Sequence, residues 1–329
     1  MFVRSSAIAR KAKHSTGTRP EHSGLAMPVH SHCIPSRAGF TILELLTVVA
    51  VIAIMLGVAL PAISSAREAA RKIHCVNSLK QIGVALHNYH DVYRVLPAGW
   101  QWERTEQSAY GWGVPLLPYL EQPAIYDRVD RNRLIDDPTN TFVSQTSLSV
   151  FLCPSDIYEP FFTLFRDDGD DEDELNTAPI GPLIPLVDLP TANYVAVFGT
   201  IEPDDDIPIP EGDGAFPGDR CNRLSVFTRG LSNTLFIGER TMGRVPSTWL
   251  GIDSLGEDAT CRLVGAAIDG PNCEACDECE FDSRHPGGVN FLWGDGRVQF
   301  VAEDIDSEIY QTMSRRFMTH PWIATTQTP

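Results

Sequence analysis

Residues 39–61 read G-F-T-I-L-E-L-L-T-V-V-A-V-I-A-I-M-L-G-V-A-L-P, and from Phe40 to Leu60 the only charged residue is Glu44. As a helix rising about 1.5 Å per residue, that run would extend roughly 31 Å, the thickness of a bilayer's hydrocarbon core. One membrane-spanning helix near the start of the chain is therefore expected. Glu44 is costly there, because insertion scales put a central carboxylate at about 2.5–3.5 kcal/mol. It stands one turn from the polar entrance, where a partner would offset the cost. A cut after Gly39 would create one, the free α-amino group of Phe40. Paired with Glu44 of a neighbouring helix, it would neutralise both charges and fix the stagger of the two helices.

The remaining composition agrees with that topology. The chain has 329 residues, 43% of them hydrophobic, and a formal net charge of −17. Such a length allows one to three domains. Ahead of Phe40 stand six basic residues and one acid, so losing that segment takes the charge to −22. A basic leader before the apolar helix and an acidic body after it place the leader in the cytoplasm and the body outside. The same acidity excludes nucleic acid as a partner, since phosphate recognition needs clustered Lys and Arg. The leader has no apolar region of its own, unlike a secretory signal. A start at Met27 would shorten it from 39 residues to 13.

Gly39-Phe40-Thr41, Glu44 and Pro61 around one apolar helix resemble the processing site of type IV pilins and type II secretion pseudopilins. The resemblance implies that prepilin peptidase cuts after Gly39 and that Phe40 becomes the N-methylated terminus. It further implies that Glu44 and Pro61 serve assembly, with other pilin-like subunits or with further copies of the chain. A plain signal anchor would account for the apolar run, but not for this combination.

Beyond Pro61 apolar residues recur at Ile63, Ala66, Ala70, Ile73, Val76, Leu79, Ile82 and Leu86. Spacings of three and four predict an amphipathic continuation of the helix. Arg67, Glu68, Arg71, Lys72 and Lys80 would form its polar face. Proline should kink this helix and not end it. The expected organisation is a leader over 1–39, a span over 40–62, the amphipathic half over 63–91 and an outer domain over 92–329. In that domain short apolar runs predict strands at Leu148–Leu152, Tyr194–Phe198, Leu235–Gly238, Val289–Trp293 and Val298–Val301. Gly294-Asp295-Gly296 joins the last two as a hairpin, and Gly113–Glu121 reads as a short helix or turn. The fold class is α+β and pilin-like, one long helix packed on an antiparallel sheet. Acidic and Pro-rich stretches near 167–190 and 202–214 read as solvated inserts. Calcium is the ion they would admit, although neither has the alternating ligands of a calcium loop.

Further blocks carry a narrower resemblance: Cys75-Val76-Asn77-Ser78-Leu79-Lys80-Gln81-Ile82-Gly83, Leu86-His87-Asn88-Tyr89-His90-Asp91, Leu116-Leu117-Pro118-Tyr119-Leu120-Glu121-Gln122 and Phe151-Leu152-Cys153-Pro154-Ser155-Asp156. Ser232-Asn233-Thr234, Glu239, His285-Pro286-Gly287-Gly288 and Asp295-Gly296 complete the set. Together they resemble a large paralogous family, abundant in planctomycetes, that joins a prepilin-type N-terminus to a domain of unassigned function. That family usually has Asp-Gly-Thr where this chain has Arg229-Gly230-Leu231, so that Asp is absent here. A Cys75–Cys153 disulfide is preferred because both cysteines lie in matching blocks.

Seven cysteines remain after the leader, and outside the cytoplasmic membrane disulfides are the default, with one thiol left over. Cys273, Cys276 and Cys279, with Cys261 or His285 as a fourth ligand, form the alternative zinc set. Their acidic neighbours Glu274, Asp277, Glu278 and Glu280 oppose thiolates, which favours disulfides. His285 and Asp295 allow an acid–base or metal pair, against a turn-forming role for Asp295 and Gly296. Glu239 reads as a strand-end salt bridge. No serine-nucleophile elbow, zinc-protease helix or phosphate loop is present. The expected protein is a non-enzymatic, single-pass inner-membrane pseudopilin-like subunit without a cofactor, its C-terminal domain extracytoplasmic. The alternatives are an anchored module binding glycan, through some of six scattered tryptophans, or a secreted protein, and a hydrolase built on His285 and Asp295.

Overall fold

A computed structural model of the chain describes residues 39–156, 159–167, 183–204 and 209–317. Residues 1–38 of the leader, the acidic run after Asp167 and Trp322 lie outside the described residues. The chain divides into two units, Met1–Gly57 and Val58–Pro329.

Helix α1 (Ile42–Tyr93) has 52 residues and contains Pro61. It is long and apolar enough to cross a membrane. In the first unit its side chains are exposed, Ile42 to 80% and Ile54 to 68%. A stripe so apolar needs lipid or protein to cover it.

Within the second unit α1 buries Cys75, Leu79, Ile82 and Leu86, with Ser78, Gly83 and Ala85 beside them. The expected stripe is corrected here. Ile73 is 61% exposed, whereas Glu68 and Lys72 are half-buried. Residues 68, 72, 75, 79, 82 and 86 alternate spacings of four and three and stay on one line. A run of threes loses about 60° of helix rotation per step, which carries Ile73 and Val76 off that line. Lys72 instead lies over the Phe300 ring, 3.3 Å from its centre.

Short helices α2 (Pro123–Tyr126), α3 (Thr141–Ser144) and α4 (Ser307–Ser314) accompany the strands among the described residues. The strands are β1 (Trp100–Trp102), β2 (Ser108–Gly111), β3 (Phe161–Phe165), β4 (Pro185–Ala192), β5 (Tyr194–Gly199), β6 (Leu235–Glu239), β7 (Ser247–Thr248), β8 (Gly251–Asp253), β9 (Val264–Ala266), β10 (Gly288–Trp293) and β11 (Val298–Ala302). They form three sheets, ordered β1-β2-β8, β11-β10-β6-β5-β9 and β3-β4-β7. The α+β class holds, but the central sheet is mixed, because β9 pairs with β5 in parallel.

The five-stranded sheet carries core on both faces, which is why β5 is one apolar run. Tyr194, Ala196 and Phe198 join the cluster that contains the α1 stripe, while Val195 and Val197 join Phe291, Val301 and Tyr310 of α4 on the other face. The β10–β11 hairpin pairs Leu292 with Val298. In its turn Asp295 Oδ1 accepts from Arg297 N at 3.1 Å, and Gly296 takes φ +85°, a region that favours glycine.

Two expectations are revised. Ser149–Phe151 is a 3-10 turn, not a strand. Leu148 and Phe151 reach the core without a partner strand, since carbonyls 148 and 149 are used locally by Phe151 N and Leu152 N. Short apolar runs are ambiguous in this way. The second revision concerns the inserts: Pro185–Pro190 lies in β4, and residues 209–214 include the carbonyl of Gly212, which accepts from Arg316 at 2.5 Å.

Behind β6 a cysteine-rich loop is held by cations. Cys273 pairs with Cys276 and Cys261 with Cys279, leaving Cys221 as the free thiol among the described residues. Arg244 donates to the carbonyls of Cys273, Cys276 and Asp277. Fully buried Arg240 donates to those of Cys261, Val264, Cys279 and Glu280. Glu280 is also fully buried; its Oε1 accepts from Ile268 N and Asp269 N, each at 2.7 Å, and its Oε2 has no partner among the described residues.

Burial pushes Glu280 up to about 7, against the pull of the Asp269 and Ile268 amides. A carboxyl raised on folding contributes stability in full below its ordinary 4.5, and that contribution is lost as pH climbs to about 7. Glu280→Gln keeps the acceptor for both amides and removes the charge. Its melting temperature is expected to match wild type near about pH 4.5 and to exceed it near about pH 8. A gap unchanged across that range would disprove the assignment.

Candidate functional site

Two places gather the candidate residues. The first is the start of α1. Gly39 and Phe40 are non-helical and exposed. A Cβ placed on Gly39 would meet nothing within 4 Å, so the fold itself sets no requirement for glycine there. Thr41 and Glu44 cap the helix reciprocally. Glu44 N donates to Thr41 Oγ1 at 3.2 Å, and Thr41 N donates to Glu44 Oε2 at 3.3 Å. This is a capping box, in which the N-cap hydroxyl and the carboxylate three residues on satisfy each other's free backbone amides. T-x-x-E ahead of an apolar run is a sequence signal for such a cap.

The second place lies in the outer unit, where blocks far apart in sequence converge. Cys75 of α1 is bonded to Cys153 across a separation of 78 residues. His285 sits beside the pair, 1% exposed. Its Nε2 is 3.6 Å from Cys153 Sγ and 3.4 Å from Glu239 Oε1, and its Nδ1 is 3.0 Å from Glu68 Oε1. Glu239 is 2% exposed and lies where β6 ends, opposite Asn290 of β10. Asn290 N donates to its Oε2 at 2.8 Å, and the Asn290 amide donates to the same carboxylate. Glu68 also accepts from Ser155 Oγ at 2.9 Å. That hydroxyl therefore points to a carboxylate and not to the imidazole.

The chain reaches this geometry through His285-Pro286-Gly287-Gly288. Gly288 has φ +153°, and a Cβ there would meet Val301 O at 2.1 Å. Only glycine lets β10 start against β11 immediately after the histidine turn. Burial alone would pull the imidazole down. The hydrogen bond and charge of Glu239, then those of Glu68, outweigh it and leave His285 above its ordinary 6.5. Burial pushes Glu68 up, but hydrogen bonds from Arg71, Ser155 and His285 leave it lowered.

Asp156, from the Cys153 block, holds the neighbouring loops. It accepts from Asn193 Nδ2 at 2.7 Å and Met242 N at 2.8 Å, and pairs with Arg284 at 3.3 Å. Beside His285 opens a cavity of about 700 Å³ lined by charged groups of both signs, among them Arg244, Arg284, Asp282 and Glu303.

The structure thus brings together Cys75, Cys153, Glu239 and His285. It does not bring Asp295 to His285. The six residues of β10 stand between them, about 20 Å of strand, and Asp295 serves its own turn. Cys273, Cys276 and Cys279 are divided between two disulfides. Sequence reading missed Glu68, whose neighbours Arg67 and Arg71 suggested a solvated face.

A family model described as "Protein of unknown function (DUF1559)" matches residues 64–308. One described as "Prokaryotic N-terminal methylation motif" matches residues 34–60. No curated protein and no solved structure matches the chain. The motif, with the apolar helix that follows it, marks a pilin-like N-terminus of the kind processed by prepilin peptidase, serving as a single-pass anchor.

Proposed function

Because this chain belongs to the family of proteins of unknown function DUF1559, and carries a prepilin-type motif over residues 34–60, we propose that it is a pseudopilin-like structural subunit. Prepilin peptidase cuts after Gly39, Phe40 is methylated, and the helix from Phe40 to Leu60 holds the product in the inner membrane with its outer domain extracytoplasmic. Subunits then assemble into a helical pseudopilus of the type II secretion or type IV kind, each Glu44 meeting the Phe40 amine of a neighbour and Pro61 lying within the packed helices. One observation carries the reading. The Gly39–Phe40 bond is exposed and non-helical, directly ahead of a span-length apolar helix. Intact mass and N-terminal analysis of the membrane protein test it. A methylated chain starting at Phe40 is expected, and an uncut chain would overturn it.

Assembly has its own test, because the capping box and the charge of Glu44 can be separated. Glu44→Gln keeps a side-chain oxygen for Thr41 N, whereas Glu44→Ala loses cap and charge together. Both variants should reach the membrane. If subunits pair through the carboxylate, Glu44→Gln lowers the cross-linked assembled fraction about tenfold or more, the cost of leaving an amine unpaired in lipid. Full assembly of Glu44→Gln would defeat this pairing. It would favour an anchored binding module, for which the charged cavity beside His285 is the candidate surface for a glycan or secreted protein.

A further inference from the structure

We propose that Cys75, Cys153, His285 and Glu239 form a tetrahedral site for a zinc-class divalent cation when the two cysteines are reduced. All four residues are buried, and one ligand atom from each lies within 4.8 Å of all the others. With metal–ligand bonds of about 2.0–2.3 Å, a tetrahedron sets nitrogen and sulfur about 3.6 Å apart and nitrogen and oxygen about 3.4 Å apart. His285 Nε2 already stands 3.6 Å from Cys153 Sγ and 3.4 Å from Glu239 Oε1.

The surroundings fit as well. A metal-bound histidine usually gives its other ring N–H to a carboxylate, and His285 Nδ1 faces Glu68 at 3.0 Å. That contact leaves Nε2 as the ligand. Asn290 N and its side-chain amide hold the Glu239 carboxylate, and Oε1, which accepts from that amide at 3.2 Å, also faces the histidine. Two thiolates beside an imidazole select a zinc-class ion over calcium or magnesium, which prefer oxygen.

Disulfide and metal site are alternative states of the same sulfurs. A dithiol reductant passes two electrons and two protons to the Cys75–Cys153 bond, which breaks into two thiols while the reductant closes its own disulfide. The cation then displaces both thiol protons to water, and the sulfurs separate to about 3.8 Å. None of this depends on processing or assembly.

The test uses the full chain in detergent, reduced without oxygen and titrated with cobalt(II). Tetrahedral cobalt bands with sulfur charge transfer are expected after reduction only, and zinc should displace them. X-ray absorption on the cobalt-loaded chain should read two sulfurs and two lighter ligands. Glu68→Gln is expected to weaken cobalt binding about 10–100-fold, and Cys75→Ser with Cys153→Ser to abolish it. The site is refuted by three results: no tetrahedral band in the reduced chain, a band at full strength in the double variant, or a four-sulfur shell, which would assign the metal to the other cysteines. If the double variant does not fold, the wild-type ligand shell decides.

Discussion

Arg240→Met is expected to lower the unfolding free energy of the outer unit by about 4 kcal/mol or more. The side chain is 1% exposed, and its Nε, Nη1 and Nη2 all donate to main-chain carbonyls. Those carbonyls belong to β9 (Val264), to Glu280, and to both halves of the Cys261–Cys279 disulfide. Burial draws the guanidinium down to about 10, partly restored by the charge of Asp282, so it stays a cation at neutral pH. Methionine fills comparable space but withdraws the guanidinium from four carbonyls, of which Cys279 O keeps Ala266 N at 2.9 Å, and each stranded buried acceptor costs about 1–3 kcal/mol. Lysine keeps the charge without the planar fork, so Arg240→Lys should recover only part of the loss. Calorimetry or circular dichroism of the thermal transition reads the effect, roughly 2–4 °C per kcal/mol at this size. A loss under about 1 kcal/mol would mean that water replaces the guanidinium.

Opening the Cys75–Cys153 link by paired alanine substitution should cost a similar amount. The link spans 78 residues, and the chain-entropy relation gives about 4.5 kcal/mol for that loop. The Cys273–Cys276 link spans three, for which the same relation gives roughly 1.5 kcal/mol. The contrast is the test. Both pairs are removed separately, and unfolding is followed under non-reducing conditions. Equal losses would show that local packing, and not the closed loop, governs the effect. Cys75 lies on α1 and Cys153 follows a 3-10 turn, so the bond also fixes the amphipathic half of α1 against the sheet.

What the sequence made legible follows from the range of each interaction. The helix declares itself locally, through a 21-residue run whose only charge is Glu44. The hairpin at Gly294–Gly296 does so through glycines whose backbone demands are local. The parallel pairing of β9 with β5 is different, since nothing in Val264-Gly265-Ala266 specifies a partner almost 70 residues earlier. Arg240 was equally hidden, because its partners are backbone carbonyls, and every residue type carries one. The site at His285 was half visible. Cys75, Cys153, Glu239 and His285 stood out by residue type and by resemblance, but their meeting depends on three crossings of the chain. Glu68 escaped because a glutamate between two arginines reads as solvated until the fold turns it inward.

The reciprocal cap at Thr41 and Glu44 bears on maturation. Both partners lie downstream of Gly39, so cleavage there removes neither, and the newly exposed terminus opens onto a helix that is already nucleated. A peptidase acting there would meet non-helical residues at Gly39 and Phe40 ahead of a finished first turn. Maturation of that kind would change charge and length at the end of the chain and leave both capping residues in place.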